Sequence, residues 1–235
     1  MKKIVTFSKW LTAIALLGFA PWAFGQTANI YLTSPGNNVM NGVYVGPYFA
    51  TVNGVSSAII CDDFVDETYN NESWTANINT TSNLNGTKWG TGASALYNEA
   101  AHFADVMMGL ESNPVANAQT IGYLSYTIWA LFDKSGVEAW LGSGSAAWNA
   151  VSGYLATAGS YAGVAAPSNF VLLTPNKSYP ITCPGGYCSA SNPPQEFIAF
   201  VPEGGSSLLY LVFAGLACGA AMLLRSRPMG IKGSA

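Results

Sequence analysis

The chain has 235 residues, half of them hydrophobic and only 9% charged, with a formal net charge of −3. Six of the nine basic residues lie at the two ends, so residues 26–203 keep Lys88, Lys134 and Lys177 against all twelve acidic residues, a net charge of −9. So few cations cannot neutralise a run of phosphates, which excludes nucleic acid as a partner, and an acidic surface repels anionic polymers unless divalent cations bridge them.

Lys2, Lys3 and Lys9 make a positive start, followed by an apolar stretch from Trp10 to Ala20 and then Pro21. Ala23-Phe24-Gly25 places small residues where signal peptidase reads them. Residues 1–25 therefore read as a secretory signal peptide, carried by the Sec machinery and cut before Gln26. The alternative is an uncut anchor, for which the apolar stretch is short.

Residues 26–200 form the exported passenger, long enough for one domain with its own core. Strands are expected over residues 29–65, divided by the turn dipeptides Asn41-Gly42 and Asn53-Gly54. Val43–Val45, Tyr48–Val52 and Ser57–Phe64 are the segments they separate, and Trp74–Ile78 is one more strand. The period then changes. Leu96, Ala100, Phe103, Ala104 and Met107 fall at helical spacing, with Gly109 as a stop. Asn113-Pro114 opens a second helix, with Ala118, Ile121, Ser125, Ile128, Trp129 and Phe132 on one face. Ser145 caps a third, ending near Gly159. Phe170–Leu173 and Gln195–Val201 return to strand. The expected fold is α+β: a β-rich N-terminal part, central helices, C-terminal strands, then one transmembrane helix.

Cys183 and Cys188 flank the turn-rich Pro184-Gly185-Gly186-Tyr187. In an oxidising compartment this spacing favours a local disulfide over a free pair or a metal site, which would need two further ligands. Cys218 lies in the apolar tail, so Cys61 is left over as a buried thiol or a candidate reactive one. Asp62, Asp63, Asp66 and Glu67 follow it closely. Oxygen ligands suit calcium, but strand alternation sends Asp62 and Asp66 to one face and Asp63 to the other, so a solvated acidic edge is expected and no metal. His102 is the only histidine, and no G-x-S-x-G elbow accompanies it. No catalytic constellation emerges and no cofactor is implied. Abundant Trp and Tyr suit either a packed core or stacking on sugar rings, so extracellular polysaccharide is a candidate partner and a carboxylate-pair hydrolase stays among the alternatives.

The segment Ile59-Ile60-Cys61-Asp62-Asp63-Phe64, taken with Leu124-Ser125-Tyr126-Thr127-Ile128-Trp129, resembles the skeleton of bacterial thioester domains. These surface adhesin modules join a strand cysteine to a glutamine just before an Ala-Ile-Trp helix segment, and the bond is an electrophile that captures an amine. Ile128 and Trp129 match, whereas Ser125 stands at the glutamine position. Gln119, six residues earlier, points about 120° away around a helix. The resemblance implies a relative of that fold with the crosslink absent.

Val201-Pro202-Glu203-Gly204-Gly205-Ser206 precedes an uncharged apolar stretch ending at Leu224, with Arg225 and Arg227 beyond it. At about 1.5 Å per residue, 206–224 is just long enough to cross roughly 30 Å of hydrocarbon, and the arginines mark a cytoplasmic end. This tail, residues 201–235, resembles the PEP-CTERM sorting signal of Gram-negative bacteria, with Gly204 in place of the second proline. The resemblance implies an exosortase-type sorting protease as partner, an inner-membrane intermediate, and then the cell surface or extracellular matrix as destination. Gly204-Gly205 is also similar to the GlyGly-CTERM tail cut by rhomboid-type proteases, and a plain uncut anchor is the remaining alternative. The expected protein is exported and non-enzymatic.

Overall fold

A computed structural model describes residues 26–178, 180–182 and 193–200. The signal peptide, Cys183 and Cys188, Val201–Ser206, the 206–224 span, and Arg225 and Arg227 lie outside these residues. Eight strands form: β1 (Gln26–Ser34), β2 (Val39–Met40), β3 (Val43–Tyr44), β4 (Tyr48–Val52), β5 (Val55–Cys61), β6 (Ser73–Asn79), β7 (Phe170–Pro175) and β8 (Phe197–Phe200). Four α-helices stand between β6 and β7, after a short 3-10 turn at Thr91–Ala93: α1 (Ser94–Leu110), α2 (Pro114–Phe132), α3 (Lys134–Leu141) and α4 (Ala146–Ala158). The mixed helix and strand composition is the expected α+β. Among the described residues no helix is long and apolar enough to cross a membrane.

Six strands close into an antiparallel barrel in the order β1-β4-β5-β8-β7-β6, and β2 and β3 form a separate hairpin. Closure removes the unpaired edges that an open sheet would present. The tight turns form where Asn-Gly stands: Asn41 and Gly42 have φ of 49° and 84°, Asn53 and Gly54 of 51° and 81°. These left-handed pairs match the twist of the strands they join.

Alternation along each strand builds two cores. Ala28, Ile30 and Leu32 of β1, Ile59 and Cys61 of β5, Leu173 of β7, and Phe197 and Ala199 of β8 share the first. Ile60, Phe170, Leu172 and Ile198, the alternate residues of β5, β7 and β8, join a second core with α1. This sector of the barrel is therefore buried on both faces. Helix α2 is buried nearly all round from Ile121 to Ala130, sending Leu124 and Ile128 to one core and Tyr126 and Trp129 to the other. A helix apolar on every side belongs inside a domain.

Local chemistry places the helix starts. Asn113 accepts a hydrogen bond from the Ala116 N–H at 3.4 Å and Ser145 one from the Trp148 N–H at 3.0 Å. Asp133 both ends α2, its N–H donating to the Trp129 carbonyl at 2.8 Å, and caps α3 through the Gly136 N–H at 3.0 Å. Helix α3 is absent from the sequence expectation, because eight residues are too few for a helical period to stand out.

Candidate functional site

Strand β5 ends at Cys61, and the next residue extends the ladder by one rung: the Asp62 N–H donates to the Glu196 carbonyl at 3.3 Å. Asp62 and Glu196 share the parity of Ile60 and Ile198, and both are fully enclosed, as is Asp63. Glu196 is well supplied with donors: the Tyr97 hydroxyl at 2.5 Å, the Lys88 N–H at 2.9 Å, and the Thr174 hydroxyl. Asp62 has no donor for either carboxyl oxygen. Burial, then the negative charge of Glu196 and Asp63, pushes its carboxyl well above the usual carboxylate range. A carboxyl so placed favours its protonated form. Burial first, then Glu196, raises the Tyr97 phenol as well.

Asp63 is paired with Lys88, whose ammonium lies 2.5 Å from one Asp63 oxygen and 2.9 Å from Asp66. Burial works to lower the Lys88 ammonium, but its bonds to the two aspartates outweigh this and raise it overall. The other Asp63 oxygen accepts the Val65 and Asp66 N–H groups. The expected solvated acidic edge is thus corrected: Asp62 and Asp63 are internal, because β5 stops at Cys61 and the chain turns inward onto Lys88 and Glu196. Among the described residues no group of three metal-ligating side chains forms a metal site.

Cys61 points into the barrel core and is 2% exposed. Its Sγ lies 3.0 Å from the Asp63 carbonyl and 3.3 Å from the Asp63 N–H, and its own carbonyl accepts the Trp129 indole N–H at 3.0 Å. Burial, then Asp63 and Asp62, pushes the thiol well above its ordinary range. A thiol kept from ionising is a poor nucleophile. The juxtaposition of Cys61 with the Trp129 segment is real, but Ser125 is engaged elsewhere: it accepts the Gly46 N–H at 2.7 Å and donates to the Ile121 carbonyl at 3.1 Å. Gln119 donates to the Tyr123 hydroxyl at 3.0 Å, one turn along α2. His102 is half-buried and stacked on Tyr161, with ring centres 3.5 Å apart.

No family model, curated protein or solved structure matches this chain.

Trp129 lines a groove of about 750 Å³. Its aromatic lining is Tyr44, Tyr48, Phe64, Tyr69, Trp129 and Trp140. Phe64 anchors the set, with ring centres 5.3 Å from Trp129 and 6.1 Å from Trp140. Trp140 is 52% exposed and Tyr44 48%, so two rings from separate elements present open faces. The polar lining includes Ser34, Asp66, Glu67, Thr68, Asn70 and Gln195. Gln195 is fixed by donating to the Asp63 carbonyl at 2.7 Å and, through its N–H, to the Thr68 hydroxyl at 2.9 Å. The Glu67 carboxylate accepts the Tyr69 hydroxyl at 2.6 Å. The aromatic excess is visible in the sequence but the groove is not, because its walls come from loops and elements distant along the chain.

Proposed function

We propose that this is an exported, non-enzymatic cell-surface or extracellular-matrix protein whose barrel domain is a binding module. In this reading residues 1–25 direct export, the 206–224 span holds an inner-membrane intermediate, and an exosortase-type protease acts at Val201–Ser206, with Arg225 and Arg227 as the cytoplasmic stop. The tripartite tail carries the destination. The observation that carries the role is a contrast within the domain: the thiol of Cys61 and the carboxyls of Asp62 and Glu196 are closed from solvent, while the aromatic groove beside them is open. Groups that cannot meet a substrate are poor catalysts, whereas fixed rings in a groove of this size suit recognition.

Deletion of residues 202–235 tests the proposal in the native host. Loss of the protein from the cell surface and from the matrix is expected. Unchanged surface display on deletion contradicts the sorting role.

A thioester-related adhesin using Cys61 is the second reading, and the packing of Cys61 against the Trp129 segment favours it. It requires a native mass lower by one ammonia, abolished by Cys61→Ala. A polysaccharide hydrolase using Asp62 and Glu196 would need both carboxyls to reach solvent.

A further inference from the structure

We infer that the groove walled by Tyr44 and Trp140 binds a neutral glycan through its pyranose faces. The inference rests on reading the domain as a binding module and names the class of ligand. Tyr44 lies on the β2–β3 hairpin and Trp140 on α3, so the exposed rings come from two separately folded elements on one groove. A single ring half in water is ordinary, but two exposed rings on one aromatic groove mark a binding surface, and the C–H face of a pyranose is apolar enough to cover them.

The polar lining then selects among ligands. Ser34, Thr68, Asn70 and Gln195 offer hydroxyl and amide groups that both donate and accept, matching sugar hydroxyls. Among the described lining residues there is no lysine or arginine, and the nearby Lys88 ammonium is already paired with Asp63 and Asp66, so an anionic polymer meets little to neutralise it. Asp66 is already paired with Lys88 at 2.9 Å, which leaves Glu67 as the one lining carboxylate without a cation. That is weak attraction for a polycation and ample as a hydroxyl acceptor. The floor is preformed: Phe64 and Trp129 are in ring contact, and Gln195 is held at both its amide and its backbone N–H. Little ordering cost falls on binding.

The test titrates the full chain, in detergent, with cellohexaose, mannohexaose, chitohexaose, an alginate hexamer and spermine, followed by tryptophan fluorescence and calorimetry. At least one neutral hexamer is expected to bind and to shift Trp emission, with affinity at least tenfold weaker in Trp140→Ala and in Tyr44→Ala. Both rings are about half exposed, and unchanged thermal melting of the variants verifies that they fold. Absence of binding by every neutral hexamer overturns the inference. So does neutral binding that survives both substitutions, or binding of alginate or spermine tighter than that of any neutral hexamer. None of these outcomes touches the tail-deletion experiment, so the ligand class and the surface role fail separately.

Discussion

Asp62 and Glu196 face each other across the end of the β5–β8 ladder, joined by a backbone hydrogen bond of 3.3 Å and fully closed off from solvent. Two carboxyls cannot both ionise in that position, so one holds a proton. Asp62 is the carboxyl that burial and its acidic neighbours raise well above the usual range, and neither of its oxygens receives a donor.

That assignment fixes a pH dependence. Burial, Glu196 and Asp63 raise the folded-state Asp62 carboxyl, and burial raises Glu72 to about 7. A raised acid binds its proton more tightly when folded, so its contribution is full below the ordinary carboxylate range and fades as pH rises through the folded value. The melting temperature should rise as pH falls from 8 to 5. Asp62→Asn, which removes the titrating acid at nearly equal size, should fold and flatten that slope, and Glu72→Gln should remove the part centred near neutrality. Thermal melts at several pH values measure both, and a slope unchanged in both variants contradicts the assignment.

Lys88 is the cation paired with the internal Asp63 carboxyl. Lys88→Met should destabilise the domain by about 3 kcal/mol, because an unpaired buried carboxylate is left behind. Adding Asp63→Asn should recover part of the loss. Denaturant unfolding of the two variants provides the comparison; a loss equal in both would mean that the lysine acts by packing alone.

Gly46 has a φ of 102° and donates its N–H to Ser125. A Cβ there would stand 2.8 Å from the Ile121 methyl Cγ2. Gly46→Ala should cost about 1–3 kcal/mol through overpacking of α2 against the barrel mouth, with backbone strain added. Gly122→Ala, on the same helix, meets the Met40 thioether, which can swing away. It should cost less, and equal losses by thermal unfolding would count against the packing described.

The Cys61 thiol, sealed in the core and raised by burial, should resist iodoacetamide in the native protein and react after unfolding. Peptide mapping around Cys61 reads this directly. Rapid native labelling would show that the thiol reaches solvent and would revive the reactive reading.

These groups differ in how far the chain alone reveals them. The Asn41-Gly42 and Asn53-Gly54 turns, the Asn113-Pro114 start and the Ser145 cap are legible because each is set by chemistry within a few residues. Barrel closure is not, since β8 reaches β5 from far along the chain. The Asp62–Asp63 pair misleads for the same reason. Lone acids after a strand read as solvated until Lys88 and Glu196 are brought to them, and the Gln195 contact to Asp63 spans 132 residues. The groove was illegible as a unit, although Trp140 and Tyr44 were visible as part of the aromatic excess.

The intact mass of the protein recovered from the envelope and the medium of its native host tests the central claim most directly. The account predicts an N-terminus at Gln26, a C-terminus near Glu203 to Gly205, and no loss of ammonia. A mass extending to Ala235 would contradict processing of the tail and leave a membrane-tethered domain, and a deficit of one ammonia would transfer the role to a Cys61 crosslink.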